Sequence, residues 1–295
     1  MLANHTFDLS KWRLINSLPL SGTWNMAVDE AVLESVMIEE VPPTLRLYAW
    51  EPECLSLGVA QPISDVAEDV LSDYGWDLVR RPTGGRAILH ANELTYSVIG
   101  SQQDPRLQGG ILDSYKVISL ALLQSLHNLD VKAEINPMVT SQPNPESIDS
   151  IPDAVVNDGK KITNPVCFEV PSHYEIVFNH RKLIGSAQMR RKGVLLQHGS
   201  LPLFGDLTRI TEVLKFGDNT NRIEAAEKLK DRAITVEEIT GTRNNWSTAA
   251  EAFIRGFEEA LNLEFLESRL TAGEIKRAKE LKQEKYSNLE WTARV

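Results

Sequence analysis

Little in this chain belongs outside a cell or inside a membrane. Only two cysteines, Cys54 and Cys167, occur in 295 residues. That is too few for a disulfide scaffold, and in a reducing compartment both are expected as free thiols. No uninterrupted apolar run approaches the ~20 residues of a membrane-spanning helix, and the opening MLANHTFDLSKW lacks the basic and apolar regions of a secretory signal. A cytosolic location is therefore expected, with no membrane partner. Basic charge is in deficit: 31 Lys and Arg against 41 Asp and Glu leave a net charge of −10. Nucleic-acid surfaces need a cationic excess to neutralise phosphates, so no nucleic-acid partner is expected. His, Cys and carboxylates nowhere take up metal-ligand spacing, so no catalytic metal is expected. The glycines match neither a phosphate loop nor the spaced glycines of a dinucleotide fold. Internal repeats are absent.

What is present is a 42% hydrophobic composition, enough for one large domain, alone or with a smaller appendage. The segment from Trp12 reads as a strand, and Thr23 to Glu40 as an amphipathic helix with Met26, Ala27, Ala31, Val32, Leu33 and Val36 on its apolar side. Alternation in TLRLYAW and CLSLGV predicts two strands. A helix is expected over Ser64 to Tyr74, a strand over Trp76 to Arg80, another over ELTYSVIG, and a long helix over Ile111 to Leu129. Asn136 to Thr163 is rich in Pro, Ser, Asn and Asp and reads as a long functional loop. Three strands follow, over Tyr174 to Asn179, Lys182 to Arg191 and Val194 to Leu203. Beyond Phe204 the pattern is mostly helical, with Thr235 to Glu238 and Thr271 to Glu274 spaced as capping boxes and one short strand near Glu264 to Leu266.

Two stretches carry candidate chemistry. In Arg80-Arg81-Pro82-Thr83-Gly84-Gly85-Arg86-Ala87-Ile88-Leu89-His90, paired glycines after a strand let backbone approach a ligand, and His90 directly follows as a pocket residue or a satisfied core histidine. The stretch from Cys167 to Leu201 places a thiol ahead of Arg181-Lys182-Leu183-Ile184-Gly185-Ser186. From the residues alone Cys167 is a nucleophile or a buried structural thiol; a lysine ammonium nearby would lower its pKa from ~8.5. Glu169 and His173 stand close in sequence, and either is a candidate base. Lys182 is a carbonyl-binding cation or a solvated strand-turn lysine. Gly185 and Ser186 beside it suggest a close approach of backbone and ligand. Cys54 has no basic neighbour in sequence and is expected as a small buried hydrophobe. Arg80, Arg81 and Arg86, together with Arg181, Lys182, Arg190, Arg191 and Lys192, form either a basic patch around the site or a set of solvated strand-end charges.

Together, RRPTGGRAILH, ELTYSV, the cysteine in VCFEVPSHYEIV, RKLIGSAQ and LLQHGSL resemble the biotin/lipoate protein ligase superfamily, and within it the cysteine-dependent octanoyltransferases of lipoate assembly. Five separated motifs occur in order, and the likeness runs from WRLINS to the terminal KYSNLEW. The resemblance implies an α/β (α+β) fold of mixed sheets flanked by helices, with a catalytic domain over 1–230 and a C-terminal helical appendage over 231–295. It implies an acyl tunnel lined by Arg80, Arg81, Gly84, Gly85, Arg86 and His90, with Lys182 reaching the carbonyl and Gly185 and Ser186 beside it. Cys167 would take an octanoyl group from acyl carrier protein and pass it to a lysine of a lipoyl-accepting protein such as glycine-cleavage H protein, by a monomer that needs no cofactor. Backbone amides near Gly85 or Gly185 would stabilise the tetrahedral oxyanion with Lys182. Two departures stand out. The family often carries an acid directly after the histidine, where this chain has Ala91, and ATP-using lipoate ligases commonly carry a third glycine where Arg86 stands. Octanoyl amidotransfer between lipoyl domains, ATP-dependent lipoate ligation, and a non-enzymatic acyl-protein binding module are the competing readings.

Overall fold

A computed structural model describes residues 7–136, 156–157, 160–161 and 175–295. The chain opens with β1 (Ser10–Asn16), α1 (Gly22–Met37), β2 (Thr44–Tyr48) and β3 (Cys54–Leu57). Next come α2 (Glu68–Asp73), β4 (Asp77–Arg80), β5 (Ile88–His90), β6 (Glu93–Ser101), α3 (Ile111–His127) and β7 (Glu134–Ile135). A two-residue ladder joins β8 (Val156–Asn157) to β9 (Lys160–Lys161), inside the segment expected as loop. The second half holds β10 (Ile176–Phe178), β11 (Arg181–Arg191), β12 (Val194–Pro202), α4 (Asn219–Arg232), α5 (Val236–Thr240), α6 (Trp246–Leu261), β13 (Leu263–Glu267), α7 (Ala272–Leu281) and α8 (Leu289–Thr292). The helix expected over Ser64 to Tyr74 is shorter than the pattern suggested: a 3-10 turn over Ile63–Asp65 ends at extended Val66 before α2 begins. Leu207–Glu212 is 3-10 throughout.

The fold is mixed α/β. Eight strands form one sheet in the order β13-β1-β2-β6-β12-β11-β10-β7, with β1 parallel to both β13 and β2 and the remaining pairs antiparallel. Strand alternation divides its side chains between two cores. Leu45, Leu47, Leu94, Tyr96, Leu195 and Leu201 turn to the face covered by α3 and α6, where Phe253 and Phe257 of α6 pack beside Tyr96 with ring centroids 6.1 and 6.3 Å away. On the opposite face Ile15, Ile99, Val194 and Leu196 meet α1, which α7 covers from outside. Each of these buried aliphatic and aromatic side chains is worth about 1.5–3 kcal/mol against exposure.

The second sheet has three strands in the order β4-β3-β5. Its outer face, with Leu55 and Leu57, builds a third core against Ile210, Val213 and Leu229. Cys54 and Ser56, at the alternate positions, turn inward toward α1 and the large sheet. The sequence pattern reads α1 as amphipathic, but it is buried nearly all round, including Asn25, Asp29 and Glu30. Those polar groups are tolerated because each is hydrogen-bonded, which removes most of the cost of burying them. Among the described residues no helix is long and apolar enough to cross a membrane.

Candidate active site

Between the two sheets lies a cleft of about 440 Å³, counted out to its open mouth. The large sheet contributes Thr95 from β6, Gly185, Ser186 and Ala187 from β11, and His198, Gly199 and Ser200 from β12. Across the gap stand Ser56, Ile88 and His90 of the small sheet, with Arg81 and Gly85 of the turn between β4 and β5. Met26, Tyr48 and Trp50 complete it. The cleft is built from both of the stretches singled out in the sequence. Gly199 is small by necessity: a Cβ there would meet Tyr96 Cε1 at 2.6 Å and the Gly185 carbonyl oxygen at 2.7 Å.

Arg81 holds the glycine turn. Its buried guanidinium donates through Nη2 to the carbonyls of Gly84 at 2.8 Å and Arg86 at 2.7 Å, and through Nη1 to the Ser56 carbonyl at 3.0 Å and hydroxyl at 3.1 Å. Gly85 adopts φ +91°, a region that only glycine enters readily, and its carbonyl sits where any Cβ on Gly58 would stand, 1.9 Å away. Arg80, next in chain, does not line the cleft. Strand alternation sends it to the other side, where it donates to the carbonyls of Thr292 at 2.6 and 2.9 Å and of Gly58 at 2.8 Å. There it clasps α8, and Trp291 returns a bond to the Arg80 carbonyl at 2.8 Å. Burial, together with the charge of Arg294, lowers the Arg80 pKa. Arg86 is half-buried beside Gly85.

His90 lies in the cleft wall, stacked on Trp50 with ring centroids 4.0 Å apart. Its orientation does not need an acid at position 91. Glu93, three residues on, accepts from His90 Nδ1 at 2.7 Å and also receives the hydroxyls of Thr95 and Ser200. A carboxylate has no proton to give, so Nδ1 carries a hydrogen toward it, and Nε2 bonds the Ser56 hydroxyl at 2.7 Å. Trp50 Nε1 donates to Thr95 Oγ1 at 2.7 Å. Arg81, Ser56, His90, Glu93 and Ser200 thus form one chain of bonds running from the glycine turn to the large sheet.

A second histidine, His198, which no sequence motif singles out, also lines the cleft. His198 Nε2 bonds Thr83 Oγ1 of the turn at 2.7 Å, and its Nδ1 faces Asp29 Oδ2 at 3.4 Å. Asp29 is fully buried and receives Arg46 at 2.7 Å, Tyr48 at 3.0 Å and Ser97 at 3.1 Å. Burial alone would raise the Asp29 pKa, but the Arg46 charge and the bonds from His198 and Arg46 outweigh it and hold the pKa low. Burial lowers the His198 pKa despite Asp29, so the ring is neutral, with its proton on Nδ1. Burial, then the Asp29 charge, pushes the Tyr48 hydroxyl well above its ordinary value.

Lys182, on β11 three residues before Gly185, is buried and paired with Glu175, Nζ to Oε1 2.6 Å. Ser186 bonds Tyr96 OH at 2.7 Å. Cys167, with Glu169 and His173, lies outside the described residues. Cys54 is fully buried, and desolvation with the nearby Asp77 and Glu93 charges raises its thiol pKa well above the ordinary value, so it is an inert structural thiol as expected. Most of the cations expected to gather as a patch are engaged in structure. Arg181 pairs with Glu238, Arg191 with Glu30 and Glu34, and Arg190 donates to the carbonyls of Gly109 and Gly110.

Two sheets enclosing a cleft, with a glycine turn on one side and a buried lysine on a strand of the other, have the layout of a lipoyl ligase-type catalytic domain. The family model for the lipoyl protein ligase A/B catalytic domain matches residues 21–258, and the chain belongs to that family. Among individual proteins, it is 36% identical over 290 residues to Octanoyltransferase LipM of Brevibacillus brevis, covering 97% of this chain and 100% of that one. It is 37% identical over 281 residues to Octanoyltransferase LipM of Anoxybacillus flavithermus, covering 95% and 97%. A solved structure of a bi-partite lipoate protein ligase from Thermoplasma acidophilum superposes with a TM-score of 0.75 at 25% identity over 97% of each chain.

Proposed function

We propose that this protein is an octanoyltransferase of protein lipoylation, taking the acyl group from octanoyl-acyl carrier protein and passing it, through a thioester on Cys167, to a lysine of a lipoyl-accepting protein such as glycine-cleavage H protein. The observation that carries the reading is the character of the cleft. Its polar side chains are bonded to one another, so what it offers a ligand is mostly carbon, as an alkyl chain requires. The naming of the relatives at 36–37% identity as octanoyltransferases supports the same conclusion.

The chemistry is balanced without nucleotide. The Cys167 thiolate attacks the donor's thioester carbonyl; a new C–S bond forms, the old one breaks, and the carrier sulfur leaves as a thiolate that takes up the proton Cys167 gave up on ionising. The acceptor's amine then attacks the enzyme thioester, an amide forms, and the amine proton returns to the sulfur. Two thioester-driven steps replace one difficult transfer. In this reading Lys182, held by Glu175, faces the reacting carbonyl, while Gly85, His90, Gly185 and Ser186 bound the acyl chain. The reaction runs in the cytosol, where the thiol stays reduced, and the enzyme acts as a monomer.

The likeness to the Thermoplasma acidophilum ligase favours a second reading, ATP-dependent attachment of free lipoate. Intact-mass measurement after incubation with octanoyl-carrier protein separates the two. Wild type gains one octanoyl group, released by hydroxylamine, and Cys167→Ala gains none. Pyrophosphate release with lipoate and ATP, without any adduct from the carrier protein, overturns the transferase reading.

A further inference from the structure

The geometry points to Met26, in the first turns of α1, as the stop against which the far end of the acyl chain rests, and hence as the residue that sets the chain length transferred. The inference rests on the octanoyl-transfer reading.

The cleft has a direction. β11 runs from Lys182 into it, lining it first with Gly185 and then with Ala187, while antiparallel β12 sets Ser200 opposite Gly185 and His198 opposite Ala187. One further step along the same face brings Met189 and Leu196, which pack with Met26 in the core beneath α1. Met26 lines the cleft and is 1% exposed, so it stands where the open space ends and the packed interior begins.

Its neighbours at that end are fixed. Tyr48 donates to Asp29, and His198 bridges Thr83 to Asp29. Displacing either would strip bonds from a charge paired with Arg46 in a dry interior. The Met26 side chain has no strong hydrogen-bonding group, and its unbranched shape adapts to what it meets. The length of that one side chain is therefore the adjustable dimension of the cleft.

The test offers wild type, Met26→Ala and Met26→Phe a mixture of hexanoyl-, octanoyl-, decanoyl- and dodecanoyl-carrier protein and reads enzyme adducts by intact mass in a single turnover. A methylene more or less in an apolar pocket changes selectivity by about tenfold or more. Met26→Ala is expected to raise the decanoyl-to-octanoyl ratio about that much, and Met26→Phe the hexanoyl-to-octanoyl ratio similarly. If Met26→Ala does not fold, Met26→Leu, which keeps the volume with a shorter reach, carries the same arm. Adducts formed in unchanged ratios by the folded variants overturn the stop alone. Wild type that forms no adduct with any donor overturns the transfer reading itself, and the stop with it.

Discussion

Arg80 and Arg81 are adjacent, identical and buried, and both donate to backbone carbonyls. The regions they serve differ. Arg81 gathers the turn that walls the cleft, and Arg80 clasps α8 to the outside of the same small sheet. The strand's two-residue period is the whole cause, since consecutive side chains leave a strand on opposite sides. One lesson is that a run of arginines beside a glycine turn need not be a run of ligand contacts. A buried guanidinium has five donors to place, and carbonyls at strand ends and turns can absorb them all.

Variants at the two positions test the division most strongly. Arg81→Met strands the carbonyls of Ser56, Gly84 and Arg86, which should lower unfolding free energy by about 1–3 kcal/mol for each buried acceptor left unsatisfied and abolish the octanoyl adduct. Arg80→Met should lower stability comparably by urea unfolding, yet leave the adduct rate of the folded fraction near that of wild type. Equal loss of adduct in both would break the contrast. A smaller effect is expected one bond further along the chain from Arg81. Glu93→Gln weakens charge-assisted bonds worth about 1.5–3 kcal/mol each and frees the His90 ring. Adduct formation should slow while the α8 side is unaffected, and protection of α8 amides from hydrogen exchange checks the second half of that statement.

The smallest effect is one of pH. Burial holds the His198 pKa below 6.5, so as pH falls below that value the unfolded chain takes up the proton first. Stability is therefore complete above about 6.5 and declines below it until the folded ring protonates too. His198→Gln should flatten this part of the curve, measured as urea midpoints at stepped pH. Asp29, whose pKa is held below 3.8, loses its contribution only as pH falls below that value.

Much of this was legible in the sequence. Alternation in CLSLGV placed Leu55 and Leu57 on one face, and the spacing of Thr271 and Glu274 gave a capping box that the structure contains. Asp29 was not legible as a buried group, because a carboxylate on a helix reads as its wet side. Its partners Arg46 and His198 stand 17 and 169 residues away. His198 carries no signal in the sequence for the same reason: Thr83 joins it only across the cleft. The acid that orients His90 was sought at the next position, whereas the tight start of β6 brings it in from Glu93. Arg80 and Arg81 could have been told apart by the same period-two rule that located the strand.

The glycine turn has one more property. In a trans peptide the N–H points opposite to the C=O of the same plane. Drawing the carbonyls of Gly84 and Arg86 in toward one guanidinium therefore turns the N–H groups of Gly85 and Ala87 outward. A guanidinium that draws in the carbonyls of its own turn thereby fixes the heading of two peptide dipoles before any substrate arrives.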